Sequence, residues 1–339
     1  MAKYFYWIDE SCNRLGEKNF DLYIREAMRL ARVAVSRLEN PNDTDFARVF
    51  NFLLKTPKTD KAKFKYPDQW YAWNECVEDP SDYKTTLDHV IADLSDFSTS
   101  WARTGQRDKA EVRIYADQGQ RYEEDPQVPG LWQDHENGVN IMVKNLTGPL
   151  ARTCHPAYCP PPKKFVTMDF FDRAWIGVRT KCLQSLKRLE FADGTELSMK
   201  VDDFSLDFLA VTILHEFMHC NIYGRVDAKI QPGMGTSGWK YCLNLNKDES
   251  RVDAECIALL AFVAGWAEVT RDGKRIGGFT IARSWDKIQP GCNELALCES
   301  EEQKKKMEGS NKWNEYFLDG DLVNTAAQGM LIFYDDITS

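Results

Sequence analysis

The feature that most constrains the fold is an apolar stripe within residues 202–224, DDFSLDFLAVTILHEFMHCNIYG. This period of three and four residues is that of one buried face of an α-helix and not that of a strand. Ser205 is placed to cap the start of the helix, and Gly224 is placed to end it in a left-handed C-terminal cap. The sequence therefore predicts a core helix. The stripe consists of Leu206, Leu209, Ala210, Ile213, Leu214, Phe217 and Met218.

The predicted helix contains an HExxH arrangement, formed by His215, Glu216 and His219. Residues four apart lie one turn above each other, so both imidazoles project from one side at a separation that a single Zn²⁺ can bridge. A catalytic zinc site takes three protein ligands and leaves the fourth position for water, which Glu216 lies close enough to polarise. The alternative is a helix with histidines that are merely packed or exposed. Two of the chain's five histidines stand in the motif, and we predict a zinc site with hydrolytic chemistry.

The third ligand is predicted on a later helix over residues 247–266, which Asn246 is placed to cap. Glu255 shares its apolar face, and a carboxylate among such neighbours loses hydration, which is costly unless it is paired, protonated or bound to a metal. We therefore predict Glu255 as the third ligand, with Asp253 as the alternative. A Glu255 carboxylate bonded to an arginine or a backbone group is the other interpretation. The apolar face consists of Val252, Cys256, Leu259, Leu260 and Val263.

Composition and charge exclude several classes of protein. With 43% hydrophobic and 28% charged residues, the 339-residue chain resembles an ordinary globular protein, and we interpret it as a single domain. Its net charge is −9 and it has no basic block, so we expect no nucleic-acid partner and a weak preference for cationic peptides. The sequence has no run of about eighteen apolar residues, which argues against a membrane span.

The ten cysteines bear on the compartment. An even, scattered set fits disulfides in an oxidising compartment. The first residues lack the long apolar segment of a secretory signal, so we expect either a mature secreted chain or an intracellular protein, and the cysteines favour secretion. The segment from Cys154 to Cys159 is predicted to be a disulfide-closed or exposed loop, because the four-ligand spacing of a zinc knuckle is absent.

The coarse secondary structure predicts an α+β fold, mostly helical, with a small mixed sheet packed on the HExxH helix. Residues 1–110 are predicted to be a helical N-terminal part, residues 111–224 to form the sheet and the HExxH helix, and residues 225–339 to form a lower lobe that carries the third ligand. Helices are predicted at 18–38, 45–54, 81–94 and 175–189. Strands are predicted at 112–115, 139–143, 165–170, 274–283 and 330–334.

The metal helix, a glycine-rich loop after it and the ligand helix together resemble the zincin metallopeptidases. More narrowly, they resemble the secreted fungal deuterolysin-like and lysine-specific metallo-endopeptidase-like proteins, in which a GTxDxxYG loop follows the HExxH helix. Residues 235–242, GTSGWKYC, resemble that loop with two departures, Gly238 in place of the aspartate ligand and Cys242 in place of the last glycine. Residues 253–256, DAEC, are similar to the acidic helix motif of related fungal secreted proteins, in which a carboxylate completes the site.

The resemblance covers residues 202–266 and implies a zincin-like fold. Tyr241 matches the family's tyrosine that stabilises the tetrahedral intermediate, and Tyr223 is its competitor. The chain does not match the HExxHxxGxxH pattern of the metzincins, because Arg225 stands six residues past His219 and Asp227 follows two residues too late.

These residues predict a zinc metallopeptidase that acts on a peptide or protein substrate. Zn²⁺ would be held by His215, His219 and Glu255, with Glu216 as general base and Tyr241 as donor to the developing oxyanion. Two alternatives remain open. One is a secreted zinc-binding or effector protein without proteolytic activity, suggested by the altered loop. The other is a zinc amide hydrolase that acts on a small molecule.

Overall fold

The structure is a computed structural model. It describes residues 2–13, 20–54, 80–116, 121–137, 139–142, 151–154, 165–175, 208–228, 238, 241–242, 245–268, 270–271, 274–275, 278–283 and 293–298. The predicted cap at Ser205, the helix at 175–189, most of the glycine-rich loop and the strand at 330–334 lie outside these residues.

The described chain is α+β, as predicted. None of its helices is both long and apolar enough to cross a membrane. The helices are α1 (Phe20–Leu38), α2 (Thr44–Leu54), α3 (Pro80–Ser100), α4 (Leu209–Met218), α5 (Lys247–Val252) and α6 (Ala254–Ala267), with 3₁₀ turns at Glu10–Asn13, Arg107–Lys109 and Asp172–Trp175. The strands are β1 (Tyr4–Ile8), β2 (Trp101–Arg103), β3 (Val112–Tyr115), β4 (Tyr122–Glu124), β5 (Leu131–Asp134), β6 (Val139–Met142), β7 (Ala151–Cys154), β8 (Val166–Phe170), β9 (Thr270–Arg271), β10 (Lys274–Arg275), β11 (Gly278–Arg283) and β12 (Asn293–Cys298).

A five-stranded mixed sheet is the platform for the HExxH helix. Its order is β2-β1-β3-β8-β7, and its strands are parallel except β7, which pairs antiparallel with β8 at one edge. The predictions of strands for β3 and β8 are confirmed. The prediction that residues 1–110 are helical is wrong at β1 and β2. The aromatic run of β1 has strand propensity, and its alternate residues Tyr6 and Ile8 are buried, which is the period-2 pattern of a half-buried strand.

A second sheet carries the predicted strand at 139–143. Strand β6 belongs to a three-stranded antiparallel sheet of order β4-β5-β6, and not to the sheet under the metal helix. A buried network fastens the two sheets together. Arg121 forms ion pairs with Asp134 at 3.0 Å and with Asp169 of β8 at 3.2 Å, and Tyr122 donates to Asp169 at 2.6 Å. The remaining strands form two antiparallel pairs, β9 with β10 and β11 with β12.

Helix α4 is buried between the sheet and other helices. Its residue Phe217 packs against Tyr6 of β1, Trp101 of β2 and Phe97 of α3, with ring centroids 6.3, 5.1 and 5.1 Å away. Helices α1 and α6 also contact α4. The HExxH helix is therefore a core helix, as its apolar stripe predicts, and its backbone is held from several sides.

Helix α6 is apolar all round and is buried along its whole length, as expected for a helix that lies inside a core. The sequence predicts one helix over residues 247–266, but the structure breaks it at Asp253. The backbone of Asp253 is extended, with φ −81° and ψ 129°, and its carboxylate accepts a hydrogen bond from the Cys256 N–H at 3.0 Å. Asp253 thus caps the start of α6, a position that aspartate favours over a helix interior.

The cysteines of the described residues do not all form disulfides. Cys154, at the end of β7, is disulfide-bonded. Cys12, Cys220, Cys242 and Cys256 are buried and form no disulfide, so the expectation that the cysteines pair in disulfides is wrong for these four.

Phe97→Ala should destabilise the protein, because it removes a fully buried ring from the contact between α3 and α4 and leaves a cavity. We expect a loss of about 3–5 kcal/mol in the free energy of unfolding, measured by urea denaturation with circular dichroism. Leu22→Ala is the control, since Leu22 is 53% exposed and its truncation should cost less than about 0.5 kcal/mol. Equal losses in the two variants would contradict this account of the core.

Candidate metal centre

The HExxH helix ends earlier than predicted and is followed by a turn. Helix α4 stops at Met218, and His219 is its C-cap. The backbone then turns, with hydrogen bonds from the Gly224 N–H to the Cys220 carbonyl at 2.8 Å and from the Arg225 N–H to the Met218 carbonyl at 3.0 Å. Gly224 has a φ of +63°, the left-handed conformation predicted for it, which glycine adopts without the steric cost of a side chain. The chain therefore reverses direction directly after the second histidine.

Three ligand atoms converge at this reversal. The Nε2 atoms of His215 and His219 are 3.0 Å apart. Asp227 Oδ1 lies 3.2 Å from the Nε2 of His215 and 3.3 Å from that of His219. The two histidines are thus brought together as predicted, but the carboxylate beside them belongs to Asp227.

The Nδ1 nitrogen of each imidazole is hydrogen-bonded to an acceptor. His215 Nδ1 is 3.0 Å from Glu255 Oε2, and His219 Nδ1 is 3.0 Å from the Arg225 carbonyl oxygen. A carboxylate and a carbonyl only accept hydrogen bonds, so each Nδ1 carries the proton. In neutral imidazoles the Nε2 lone pairs are then free and point towards each other and towards Asp227. Metal-bound histidines usually make such a hydrogen bond with the nitrogen that does not bind the metal, and this bond fixes the tautomer and the ring orientation.

The spacing of the three atoms fits a small divalent cation. Two ligands each about 2.0–2.1 Å from a tetrahedral zinc ion are about 3.3 Å apart, and the observed separations are 3.0–3.3 Å. Two imidazole nitrogens and one carboxylate oxygen are also ligand types that zinc takes. The residues therefore fit a zinc ion.

The electrostatics of the cluster favour positive charge. Burial by itself lowers the pKa of His215, but hydrogen bonds to Asp227 and Glu255 raise it well above its usual value. Burial also lowers the pKa of His219, and the bond to Asp227 raises it overall. For the Asp227 carboxyl, burial raises the pKa, yet hydrogen bonds to both histidines hold it well below its usual range. In the absence of a metal these groups attract protons, as expected of a cation site.

Asp227 is positioned by the backbone on either side of it. Val226 forms a parallel β-bridge with Asp253, at the junction of α5 and α6. On the other side, the N–H of Ala228 donates to Asp253 Oδ2 at 3.0 Å. The side chain of Asp227 is itself 63% exposed. The backbone on both sides of Asp227 is therefore held by the buried Asp253, and the Asp227 carboxylate reaches the histidines from the solvent side.

Two side chains fasten the turn to helix α3. The Arg225 guanidinium bonds to Asp93, with Nε 3.0 Å from the carboxylate. The Tyr223 hydroxyl accepts from Trp101 Nε1 at 2.8 Å and lies 3.1 Å from Asp96 Oδ2. Since these bonds occupy the Tyr223 hydroxyl, it does not serve as the alternative oxyanion donor that the sequence suggested.

The prediction of Glu255 as the third ligand is corrected by its position. Its carboxylate lies on the Nδ1 side of His215, away from the convergence of the Nε2 atoms, and also accepts from the Gly238 N–H at 2.9 Å. The burial argument correctly required a partner for Glu255, but that partner is a histidine and a backbone group and not a metal. Asp253 is not a ligand of this cluster either, because it caps α6 and holds Ala228.

Tyr241 also has a supporting position. Its hydroxyl lies 2.7 Å from Asp253 Oδ2 and 3.0 Å from the Ala228 carbonyl. It therefore braces the segment that follows Asp227 and is not directed at the cluster, which corrects its predicted role as oxyanion donor. Gly238, at the position of the family's aspartate, contributes its N–H to Glu255.

Glu216, the predicted general base, lies between the two histidines in the chain and contacts the sheet. It is buried in α4, and its charge contributes to raising the pKa of His219. Its Oε2 accepts a hydrogen bond from Thr153 Oγ1 of β7 at 2.6 Å. Nothing in the sequence around residue 153 pointed to this contact, because it depends on the pairing of β7 with β8.

The sequence does not predict Asp227 as a ligand, because its distance from His219 does not fit the HExxHxxGxxH pattern. Gly224 stands two residues later than the glycine of the HExxHxxGxxH pattern. Asp227 follows Gly224 by three residues, the same distance at which the last histidine of the pattern follows its glycine. The signal that could have found it is therefore the spacing from the glycine at which the chain reverses.

A second group of ligand-type residues lies nearby. Ligand atoms of Cys242, Asp253 and Cys256 are within 4.8 Å of one another, and all three residues are buried. The oxygens of Asp253 already accept from backbone N–H groups, and burial raises the pKa of Cys242 well above its usual value. We therefore interpret this group as part of the packing behind the metal centre.

Comparisons with known proteins add no relative. No protein-family model, no curated protein and no solved structure matches the chain. The interpretation of the site therefore rests on its own geometry.

Gly224→Ala should strain the turn that carries Asp227. A Cβ at this position has no atom within 4 Å, so the cost comes from the left-handed backbone alone. We expect a loss of about 1–2 kcal/mol in the free energy of unfolding, measured by denaturation in the presence of a chelator.

Gly105→Ala is the matched control for this variant. Its Cβ also meets no atom within 4 Å, and no left-handed φ applies there. This variant should be neutral or stabilised by up to about 1 kcal/mol. A Gly224→Ala protein as stable as Gly105→Ala would show that the turn does not depend on the glycine.

Proposed function

We propose that this protein is a zinc-dependent metallopeptidase of the zincin type, with zinc held by His215, His219 and Asp227. The observation that carries the proposal is the convergence of two imidazole Nε2 atoms and a carboxylate oxygen while both Nδ1 atoms are bonded to acceptors. Without a metal, the neighbouring carboxylates draw protons to the histidines. A bound divalent cation would replace these protons among the same three atoms.

The ligand set and its exposure support a catalytic centre over a structural one. Structural zinc sites are usually closed by four protein ligands, whereas catalytic sites have three and keep a position for water. The side chains of His215 and His219 are 16% and 12% exposed, and that of Asp227 is 63% exposed. The cluster therefore has a solvent side from which a water molecule and a substrate can approach.

The chemistry is divided between the ion and the protein. When bound, zinc supplies a Lewis acid that lowers the pKa of a water ligand and polarises a carbonyl group. Glu216 accepts the proton of the attacking water and later delivers it to the leaving amine. Glu255 and the Arg225 carbonyl keep the imidazoles in the tautomer that presents Nε2.

The arrangement of helix and sheet supports the zincin type and a peptide substrate. The HExxH helix packs on a mixed sheet, and Glu216 contacts the antiparallel strand β7, which lies at one edge of the sheet that the described residues form. An edge strand has backbone groups to which an extended peptide can add as a further strand. The net charge of −9 weakly favours cationic peptides.

The disulfide at Cys154 supports the proposal that the enzyme is secreted, because disulfides persist in oxidising compartments. Four buried cysteines of the described residues form no disulfide, which fits buried cysteines that act as small apolar residues.

One observation favours a second candidate function. The hydroxyls of both Tyr241 and Tyr223 are bonded to other groups, so neither tyrosine is free to stabilise an oxyanion. A zinc-binding protein without proteolytic activity is therefore the alternative, and cleavage assays on zinc-loaded protein distinguish the two.

Asp227→Ala should abolish stable metal binding, because it removes the one charged ligand of the three. Glu255→Gln should weaken binding by only about 10- to 100-fold, since Glu255 acts through the Nδ1 of His215. Zinc content after dialysis, determined by mass spectrometry, and competition with a chelating dye give the two affinities. Full occupancy in Asp227→Ala together with loss in Glu255→Gln would reverse the ligand assignment.

Glu216→Gln should keep its zinc and lose about 10²- to 10⁴-fold in turnover, because the amide cannot accept the proton of the water. The measurement is metal content beside cleavage of a peptide library followed by mass spectrometry. Glu123→Gln, at an exposed residue of β4, is the control and should cleave at the wild-type rate. Wild-type hydrolysis in Glu216→Gln would rule out the proposed mechanism.

A further inference from the structure

Thr153 joins the edge strand of the sheet to the carboxylate of Glu216. Its Oγ1 lies 2.6 Å from Glu216 Oε2 and 3.1 Å from the Glu216 carbonyl oxygen. Strand β7, which carries Thr153, pairs only with β8 in the described sheet, and Thr153 stands opposite Met168. The contact therefore crosses from the sheet to the metal helix.

The threonine proton points to the carboxylate. A hydroxyl has one proton to donate, and an ionised carboxylate and a carbonyl only accept. A separation of 2.6 Å is typical of an O–H···O⁻ bond to a charged group, and the contact to the carbonyl is longer. That carbonyl also accepts the His219 N–H at 3.1 Å. Thr153 is therefore the donor to Glu216 Oε2.

We propose that Thr153 is a positioning residue for Glu216, an inference that rests on the proposed function. Its hydrogen bond occupies Oε2, and in the part of the chain that the structure describes no group donates to Oε1. Oε1 is therefore the oxygen that takes the proton from water. Fixing one oxygen also restricts the rotation of the glutamate, and misplacement of a reacting group by about 1 Å can cost about 100-fold in rate.

The donor itself is held rigidly. Threonine is β-branched and restricted at χ1, its backbone is paired with the buried Met168, and the next residue, Cys154, is disulfide-bonded. A supporting residue on a fixed strand orients its partner more accurately than one on a loop.

The test compares Thr153→Val with Thr153→Ser. Valine keeps the shape and the strand propensity but has no hydroxyl, whereas serine keeps the hydroxyl. We expect Thr153→Val to retain full zinc content and its KM while kcat falls about 10- to 100-fold. Thr153→Ser should restore kcat to within about threefold of wild type, because its hydroxyl can make the same bond.

A double-mutant cycle with Glu216→Ala supplies a readout besides turnover. Zinc-loaded proteins are titrated with acetohydroxamate, which chelates the metal and bonds to a neighbouring carboxylate. Thr153→Val alone should weaken binding by about 3- to 10-fold, the effect of one hydrogen bond. In the Glu216→Ala background the same change should have no further effect, since Thr153 acts through that carboxylate.

The outcomes separate this proposal from the proposed function. Wild-type kcat in Thr153→Val, or equal losses in the valine and serine variants, would overturn the role of Thr153 and leave the peptidase assignment intact. Zinc-loaded wild type that cleaves no peptide would overturn the peptidase assignment. In that case the hydroxamate cycle decides on Thr153: non-additive losses support its role, and additive losses overturn it.

Discussion

The structure around the HExxH helix depends on one electrostatic constraint, the approach of two imidazole nitrogens and a carboxylate oxygen to within 3.3 Å of one another. Groups this close need positive charge among them, which protons supply in the absence of a metal and which a bound divalent cation would supply in their place. Both Nδ1 atoms are hydrogen-bonded on their outer side, one to Glu255 of the buried helix α6 and the other to the Arg225 carbonyl of the turn. The donor atoms are therefore oriented by the fold.

The proposed third ligand, Asp227, lies on a turn that several other parts of the molecule hold in place. Gly224 allows the chain to reverse, Arg225 ties it to helix α3 through Asp93, and Val226 pairs with the α5–α6 junction. Asp253 then serves three neighbours at once, as cap of α6, acceptor from Ala228 and partner of Tyr241. Residues far apart in sequence thus fix the one ligand that lies on a turn.

The sequence predicted the parts of the site that follow from local periodicity. A helix places His215 and His219 on one face, and the structure brings them together. The parts that depend on chain reversal and strand pairing could not be predicted in this way. Asp227 reaches the histidines only because of the turn at Gly224, and Thr153 reaches Glu216 only because β7 pairs with β8. The burial argument for Glu255 identified a carboxylate that needs a partner, but burial alone does not distinguish a metal from the outer nitrogen of a histidine.

The unequal exposure of the three proposed ligands has a kinetic consequence. The histidines are mostly enclosed, whereas more than half of the Asp227 side chain faces solvent. An ion in this site would exchange with the medium through the aspartate side, because that bond can be replaced by water while the imidazoles stay locked to their outer partners. Chelators would then compete first for the position of Asp227, and the rate of metal loss would report on the mobility of a single turn.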